Sequence, residues 1–382
     1  MRIIDRYLLR QFIHVFLICF ISLDGLYVVF DAFSNLDEFL RYTEKEGTLL
    51  GIMGEFYAYR TLLFFERISS MLTMIAGMFT VTWIQRHNEL TALMAAGVSR
   101  TRVIVPIIAA SFCISLATSA CREFVIPPLA DELARDPKNL RGEYAQDLKP
   151  RYDNETNILL QGKVAYANEK RVYLPRFMFT ESLYDQGKQL AAENAYYQAP
   201  ENGRPGGYLF RGVTQPQGLA ELPSIEQDGR LLLITPHDEP EWLKPDECFV
   251  VSNVNFDQLS GGQTWRQFSS TRQLVEGLSN PSLGLAGEFG ADVRVSIHAR
   301  LIQPLLDMTL LFLGLPLVLN GTNRNVFLAA GFCGAVCGTF MMVVMGFQYL
   351  GGEAILRPAL AAWGPLMIFV PVAVAMFDRI EY

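Results

Sequence analysis

Residues 85–102 read Gln-Arg-His-Asn-Glu-Leu-Thr-Ala-Leu-Met-Ala-Ala-Gly-Val-Ser-Arg-Thr-Arg, a polar and small-residue stretch between two long apolar runs. Asn88 is placed to cap a short helix, and the charge of Glu89 in its first turn suits the positive helix end. Leu90, Leu93, Met94 and Gly97 recur at i, i+3, i+4 and i+7, a single stripe. Gly97 suits a left-handed helix stop, and Ser99 can cap the helix that follows. The spacing predicts a short amphipathic helix held between two long ones. Two uses fit it: a knob that docks in a groove of a cytoplasmic motor and transmits its movement, or a connector resting on the membrane surface.

The flanking runs set the fold class. A spanning helix needs about 20 mostly apolar residues. Six stretches qualify: Phe12–Phe33, Tyr59–Ile84, Val103–Ile126, Leu301–Leu319, Val326–Leu350 and Leu360–Phe377. Three precede a long polar stretch and three follow it. The first is too long for a cleaved signal, and no small-residue cleavage site follows it. Composition agrees. The 382 residues are 51% hydrophobic and 19% charged, and mean hydropathy is +0.20. The formal net charge of −7 argues against nucleic acid as a partner, because a polyanion needs a basic field.

Short loops orient the spans. Arg2, Arg6 and Arg10 precede the first, on one helical face suited to an anionic lipid surface. Arg86, Arg100 and Arg102 lie between the second and third, and Arg324 lies between the fourth and fifth. These basic segments are expected in the cytoplasm, with both termini inside and the polar stretch Pro127–Ala299 outside. Within it, Leu129–Leu148 reads as polar and helical. Short β-rich runs follow at Asn157–Leu160, Val164–Asn168, Val172–Phe179, Leu190–Ala199, Tyr208–Val213, Leu231–Thr235 and Cys248–Phe256, a pattern of a sandwich or jelly roll. Gly277–Gly290 reads as a linker. The expected organisation is a first membrane half over 1–126 and a connector over 127–150. A β domain covers 151–272, linker and helix entry 273–300, and the second membrane half 301–382.

Charges inside apolar runs are expensive and default to functional roles. Asp24 and Asp31 lie in the first run, Glu66 and Arg67 in the second, and Asp307 in the fourth. Glu66 and Arg67 can be a simple pair near the outer face. Arg294, His298 and Arg300 mark the outer mouth of the fourth helix, where a cationic ring could hold an anionic headgroup and arginine offers bidentate phosphate contacts. Ordinary interface anchoring is the plain alternative. Gly331, Gly334 and Gly338 in the fifth run allow close helix packing. The six cysteines and four histidines are scattered, with no CxxC, so no metal or other cofactor is expected. There is no GxxxxGK[ST] loop, so the chain brings no ATP-hydrolysing P-loop of its own.

These residues also resemble a known family. Ile4-Asp5-Arg6-Tyr7-Leu8, the loop Arg86–Ser99, Gln189–Tyr196, Arg300-Leu-Ile-Gln-Pro304-Leu and Leu315-Pro316-Leu317 are similar to motifs of the lipopolysaccharide export permeases (LptF/LptG, YjgP/YjgQ type). The resemblance covers essentially the whole chain. It implies a bundle of six transmembrane helices, three plus three, with an inserted periplasmic jelly roll in the bacterial inner membrane. It implies a non-enzymatic subunit that pairs with a second permease, a paralogue or itself, and is driven by a cytoplasmic ABC ATPase dimer. Lipopolysaccharide or a similar anionic glycolipid would pass to a periplasmic jelly-roll bridge protein. Glu89, Leu90, Leu93, Met94 and Gly97 are then expected against the ATPase, and Arg300, Arg294 and Arg67 against the headgroup. Two features depart from the family pattern: Asp31 lies where a lysine is frequent, and Glu66-Arg67 lies where a proline is common. Other expectations from the residues are a lipoprotein-releasing or mechanotransmitting permease, a membrane-embedded lipid transferase, or a scaffold. The first of these usually carries its large outer domain after the first span rather than the third.

Overall fold

The computed structural model describes residues 3–43, 48–135, 137, 146–184, 187–201, 204–227, 229–260, 263–284, 290–319 and 326–378. Arg2, residues 136 and 138–145 of the polar helix expected over Leu129–Leu148, and the basic loop Asn320–Asn325 lie outside them; the described part of that expected helix is α-helical only over Ala130–Leu133, and Gln146–Asp147 is a strand. The chain forms two compact units, Met1–Leu133 with Ala291–Tyr382, and Ala134–Gly290.

The first unit is helical. It comprises α1 (Ile3–Ser34), α2 (Leu36–Thr43), α3 (Leu49–Arg86), α4 (Glu89–Ala95) and α5 (Arg100–Ala120) before the insertion. A π turn (Cys121–Val125) and a 3-10 turn at Pro127–Leu129 carry α5 into the short α6 (Ala130–Leu133). Five of the six apolar stretches lie within one long helix, the third, Val103–Ile126, runs from α5 through the π turn, and among the described residues six helices are long and apolar enough to cross a membrane. At about 1.5 Å per residue, α1 and α3 exceed the ~30 Å apolar thickness of a bilayer, so their ends project beyond it.

Burial ranks the helices. In α10 (Ala291–Leu319), the apolar window is 61% buried inside the chain, against 11% in α1, so α10 is central and α1 peripheral. Leu306, Leu310 and Leu311 of α10 meet Leu72, Met74 and Met78 of α3, Ile104 and Ile107 of α5, and Leu8 and Phe12 of α1 in one core. Helices approach closely at Gly351 and Gly364, where the last two spans meet, and at Gly77 and Gly314. A β-carbon on Gly77 would stand 3.1 Å from Leu311, and one on Gly314 would stand 2.9 Å from Met74. The glycines singled out from the sequence pack against nothing among the described residues. A β-carbon at Gly331, Gly334 or Gly338 would meet open space, whereas Cys333, Cys337 and Phe340 on the other face of α11 (Val326–Gly352) point into the core. The bundle closes with α12 (Pro358–Asp378).

The second unit is antiparallel β. Among the described residues, eleven strands form one sheet. They are β1 (Gln146–Asp147), β2 (Arg151–Asp153), β3 (Ile158–Leu160), β4 (Val164–Tyr166), β5 (Arg171–Tyr173) and β6 (Arg176–Met178), then β7 (Gln189–Gln198), β8 (Gly207–Gln215), β9 (Ile225–Gln227), β10 (Arg230–Ile234) and β11 (Glu247–Val251). The order is β1-β4-β5-β7-β8-β11-β10-β9, with β2 and β3 joined through β6 to β7. The long β7 makes this branch: Gln189–Ala191 pair with β6, Asn194–Tyr196 pair with β5, and β8 lies along the other edge.

The strand expected over Val172–Phe179 is broken in two, because Leu174 takes a left-handed φ of 47° that no ladder accommodates. The strand expected over Cys248–Phe256 stops at Val251. After it come three helices that were not anticipated, α7 (Phe256–Ser260), α8 (Gln263–Phe268) and α9 (Thr271–Ser279). The interior of the sheet is aromatic. Phe177 stands 4.8 Å from Phe210 and 5.4 Å from Tyr208, ring centre to ring centre. The buried Tyr208 hydroxyl is satisfied by donating to the Val254 carbonyl at 3.0 Å.

Candidate functional site

The loop between α3 and α5 is rigidly built. Asn88 takes a left-handed φ of 61° and makes no side-chain cap, so it serves as the turn residue and not as the expected N-cap. Asparagine tolerates that conformation better than most residues. Gly97 has φ 80° and closes α4 with both hydrogen bonds of a Schellman stop. Its amide donates to the Met94 carbonyl at 2.9 Å, and the Val98 amide donates to that of Leu93 at 3.0 Å. Ser99 then caps α5, its hydroxyl accepting from the Arg102 amide at 3.3 Å.

The stripe on α4 is divided between two surroundings. Leu90 belongs to the bundle core, and Leu93 and Val98 pack against it. Met94 is 41% exposed, and Gly97 is exposed with Thr91, Ala92 and Ala95. Leu90 and Leu93 therefore anchor the helix, while Met94 and the small residues face outward.

Side chains tie the loop to other helices. The Tyr7 hydroxyl lies 3.0 and 3.2 Å from the two carboxylate oxygens of Glu89, to which it donates. Arg102 Nη2 donates to both oxygens of Asp5, at 2.9 and 3.1 Å. Gln85 Nε2 donates to the Val318 carbonyl, near the end of α10, at 3.1 Å. Exposed pairs of this kind contribute about 0–1 kcal/mol, so their main effect is to set position. None of the three was legible in the sequence, because the partners are far apart along the chain.

The charges within the spans sort into three groups. In the first, Glu66 of α3 accepts from Arg122 of the π turn at 2.9 Å, and Arg300 of α10 stands 3.8 Å from Glu123. The expected neighbour pair Glu66–Arg67 does not form. Two acids face two arginines here, so the group is close to neutral, and Arg300 is buried at 8% exposure.

In the second group, Tyr57 and Thr61 of α3 donate to Asp31 and Asp24 of α1 at 2.8 and 2.9 Å. The exposed Arg67 stands near Tyr27 on this side of the bundle. The structure thus separates Arg67 from Arg300, whose charged neighbours are Arg122, Glu123 and Glu66. Arg294 and His298 are half-buried on α10.

The third group is an interior node. Asp307 accepts from Ser115 at 2.5 Å and from Gln303 at 2.9 Å, and Thr118 donates to Ser69 at 3.0 Å. Buried polar groups in a bundle need such partners. Among the described residues, no cluster of His, Cys, Asp or Glu is arranged to hold a metal ion.

Six apolar helices, an inserted antiparallel β domain and a short helix held between the second and third spans define a multi-pass membrane protein. The family described as lipopolysaccharide export system permease LptF/LptG matches the chain over residues 6–189 and 258–379. The chain belongs to that family, whose members are transporter permeases of the bacterial inner membrane. None of the curated proteins matches it.

Proposed function

We propose that the chain is the permease subunit of an ATP-driven exporter. It takes lipopolysaccharide or a similar anionic glycolipid from the outer leaflet of the inner membrane and passes it to a periplasmic jelly-roll bridge. The carrying observation is α4: a short helix stopped at both ends, anchored through Leu90 and Leu93, with Met94 and Gly97 outward. In this reading both termini and α4 are cytoplasmic and the β unit is periplasmic, as the basic short loops require. A cytoplasmic ABC ATPase dimer grips α4, with Glu89 offering a carboxylate to a cation beside the apolar contact.

A second permease subunit, a paralogue or another copy, covers the open face of α11. The small residues Gly331, Gly334 and Gly338 there let a partner helix approach closely. For the headgroup, the exposed Arg67 supplies the most accessible of the expected cations. Arg294 and Arg300 act from α10, the latter through a network already balanced by Glu123.

Charge reversal tests the reading. Glu89→Lys in the full chain, purified with its partners, should shed the ATPase or lose lipid release. Retention of both at wild-type level removes α4 from the coupling role.

A further inference from the structure

We propose that the first turns of α1 are a third arm of the α4 knob, with Tyr7 and Asp5 as positioning residues that bind the knob to the first span. The proposal rests on the docking reading above and extends it. By chain connection alone, α4 would move only the ends of α3 and α5. The structure adds two contacts from one helical turn of α1: the Tyr7 hydroxyl on the Glu89 carboxylate at 3.0 and 3.2 Å, and Asp5 on Arg102 at 2.9 and 3.1 Å. One grips the start of α4 and the other the start of α5, so the loop between them is held from both sides. Leu8, adjacent to Tyr7, is fully buried in the same core as Leu90, which backs the polar contacts with packing.

The chemistry leaves Glu89 available to a partner. A carboxylate has about four lone-pair sites, and a phenol supplies one proton. Tyr7 therefore orients the group while leaving acceptor capacity for an arginine or lysine of the motor. Displacement of α4 is then delivered to α1 as well as to α3 and α5. α1 is the span least buried within the chain, and within the chain it packs chiefly along α3. Further along, Asp24 and Asp31 link α1 back to Thr61 and Tyr57 of α3, so a push at Tyr7 is resisted at defined points.

The test uses the full complex with its ATPase in liposomes containing lipopolysaccharide, reading bound ATPase, ATP hydrolysed and lipid extracted per ATP. Tyr7→Phe removes one hydroxyl and keeps the ring. Asp5→Arg breaks the ion pair, and Asp5→Arg with Arg102→Asp rebuilds it in reverse. The expected result is that both single variants retain the ATPase but lower lipid extracted per ATP by at least about threefold, within the range of one exposed pair, and that the swap recovers most of the loss. A wild-type ratio in both single variants overturns the proposal, as does a swap that recovers nothing. Loss of the ATPase from either variant also overturns it, since that places Tyr7 and Asp5 in docking and not in transmission. A wild-type complex without any ATPase would instead refute the docking reading itself.

Discussion

Glu66 is joined to Arg122, on a different helix, at 2.9 Å, while Arg67, its neighbour in sequence, faces outward. Adjacent residues on a helix point about 100° apart, so a neighbour pair in the sequence is a poor guide to an ion pair in a bundle. The Glu66–Arg122 link fixes the end of α5 against α3 beside Arg300.

Breaking that pair from one side should cost more than removing it. Glu66→Gln alone strands Arg122, and Arg122→Met alone strands Glu66. With both side chains partly exposed, each single change is expected to lower stability by about 1–2 kcal/mol, below the cost for a fully buried pair. The double variant should lose less than the sum. A double-mutant cycle on thermal midpoints of the detergent-solubilised protein checks this.

The two sets of glycines should behave in opposite ways. Gly77→Val or Gly314→Val puts a side chain into Leu311 or Met74 and should destabilise the bundle by about 1–3 kcal/mol through overpacking. Gly334→Leu meets open space among the described residues, so it should leave the monomer's midpoint unchanged while weakening association with the second subunit. Thermal unfolding and size analysis of the purified complex separate these outcomes.

Gly97 stops α4 in a conformation that disfavours a β-carbon. At φ 80°, Gly97→Val is expected to cost about 1–2 kcal/mol locally and to loosen the Schellman stop. Lipid release per ATP should fall, with little change in global stability. Hydrogen exchange at the Gly97 and Val98 amides would show the loss directly.

In the β unit, acid should act through Glu155. Hydrogen bonds from Asn253 at 2.8 Å and Ser282 at 3.0 Å, together with the Arg230 guanidinium, hold its carboxyl below the usual range. A lowered folded-state pKa contributes stability that is present above the unfolded value, about 4.3, and is lost as pH falls through the folded one. Unfolding followed below about pH 4.3 should therefore steepen in the wild type and flatten in Glu155→Gln. Equal slopes in the two would exclude Glu155 as a contributor.

The six spans were legible because a membrane demands long apolar runs, a signal carried by each helix alone. The short helix α4 and the Gly97 stop were legible for a similar reason, since caps and stripes are local. What the sequence did not reveal is pairing between helices. Tyr7 with Glu89, Glu66 with Arg122, and Gly77 against Leu311 depend on which faces meet, and no periodicity states that. In the β unit the long strands β7 and β8 were readable, but the break at Leu174 was not, because leucine gives no warning of a left-handed turn. The helix α9 did carry a readable signal. Ser270 and Gln273 form a capping box, and that spacing marks a helix start.

What touches Met94 decides whether α4 meets a cytoplasmic motor. A photoreactive amino acid placed at Met94 of the full chain in intact cells should crosslink to the cytoplasmic ATPase subunit, whereas the same group at Tyr152 of the β unit should not. The contradicting result is no ATPase adduct at Met94, together with labelling of a cysteine at that position by a membrane-impermeant reagent applied from the periplasmic side.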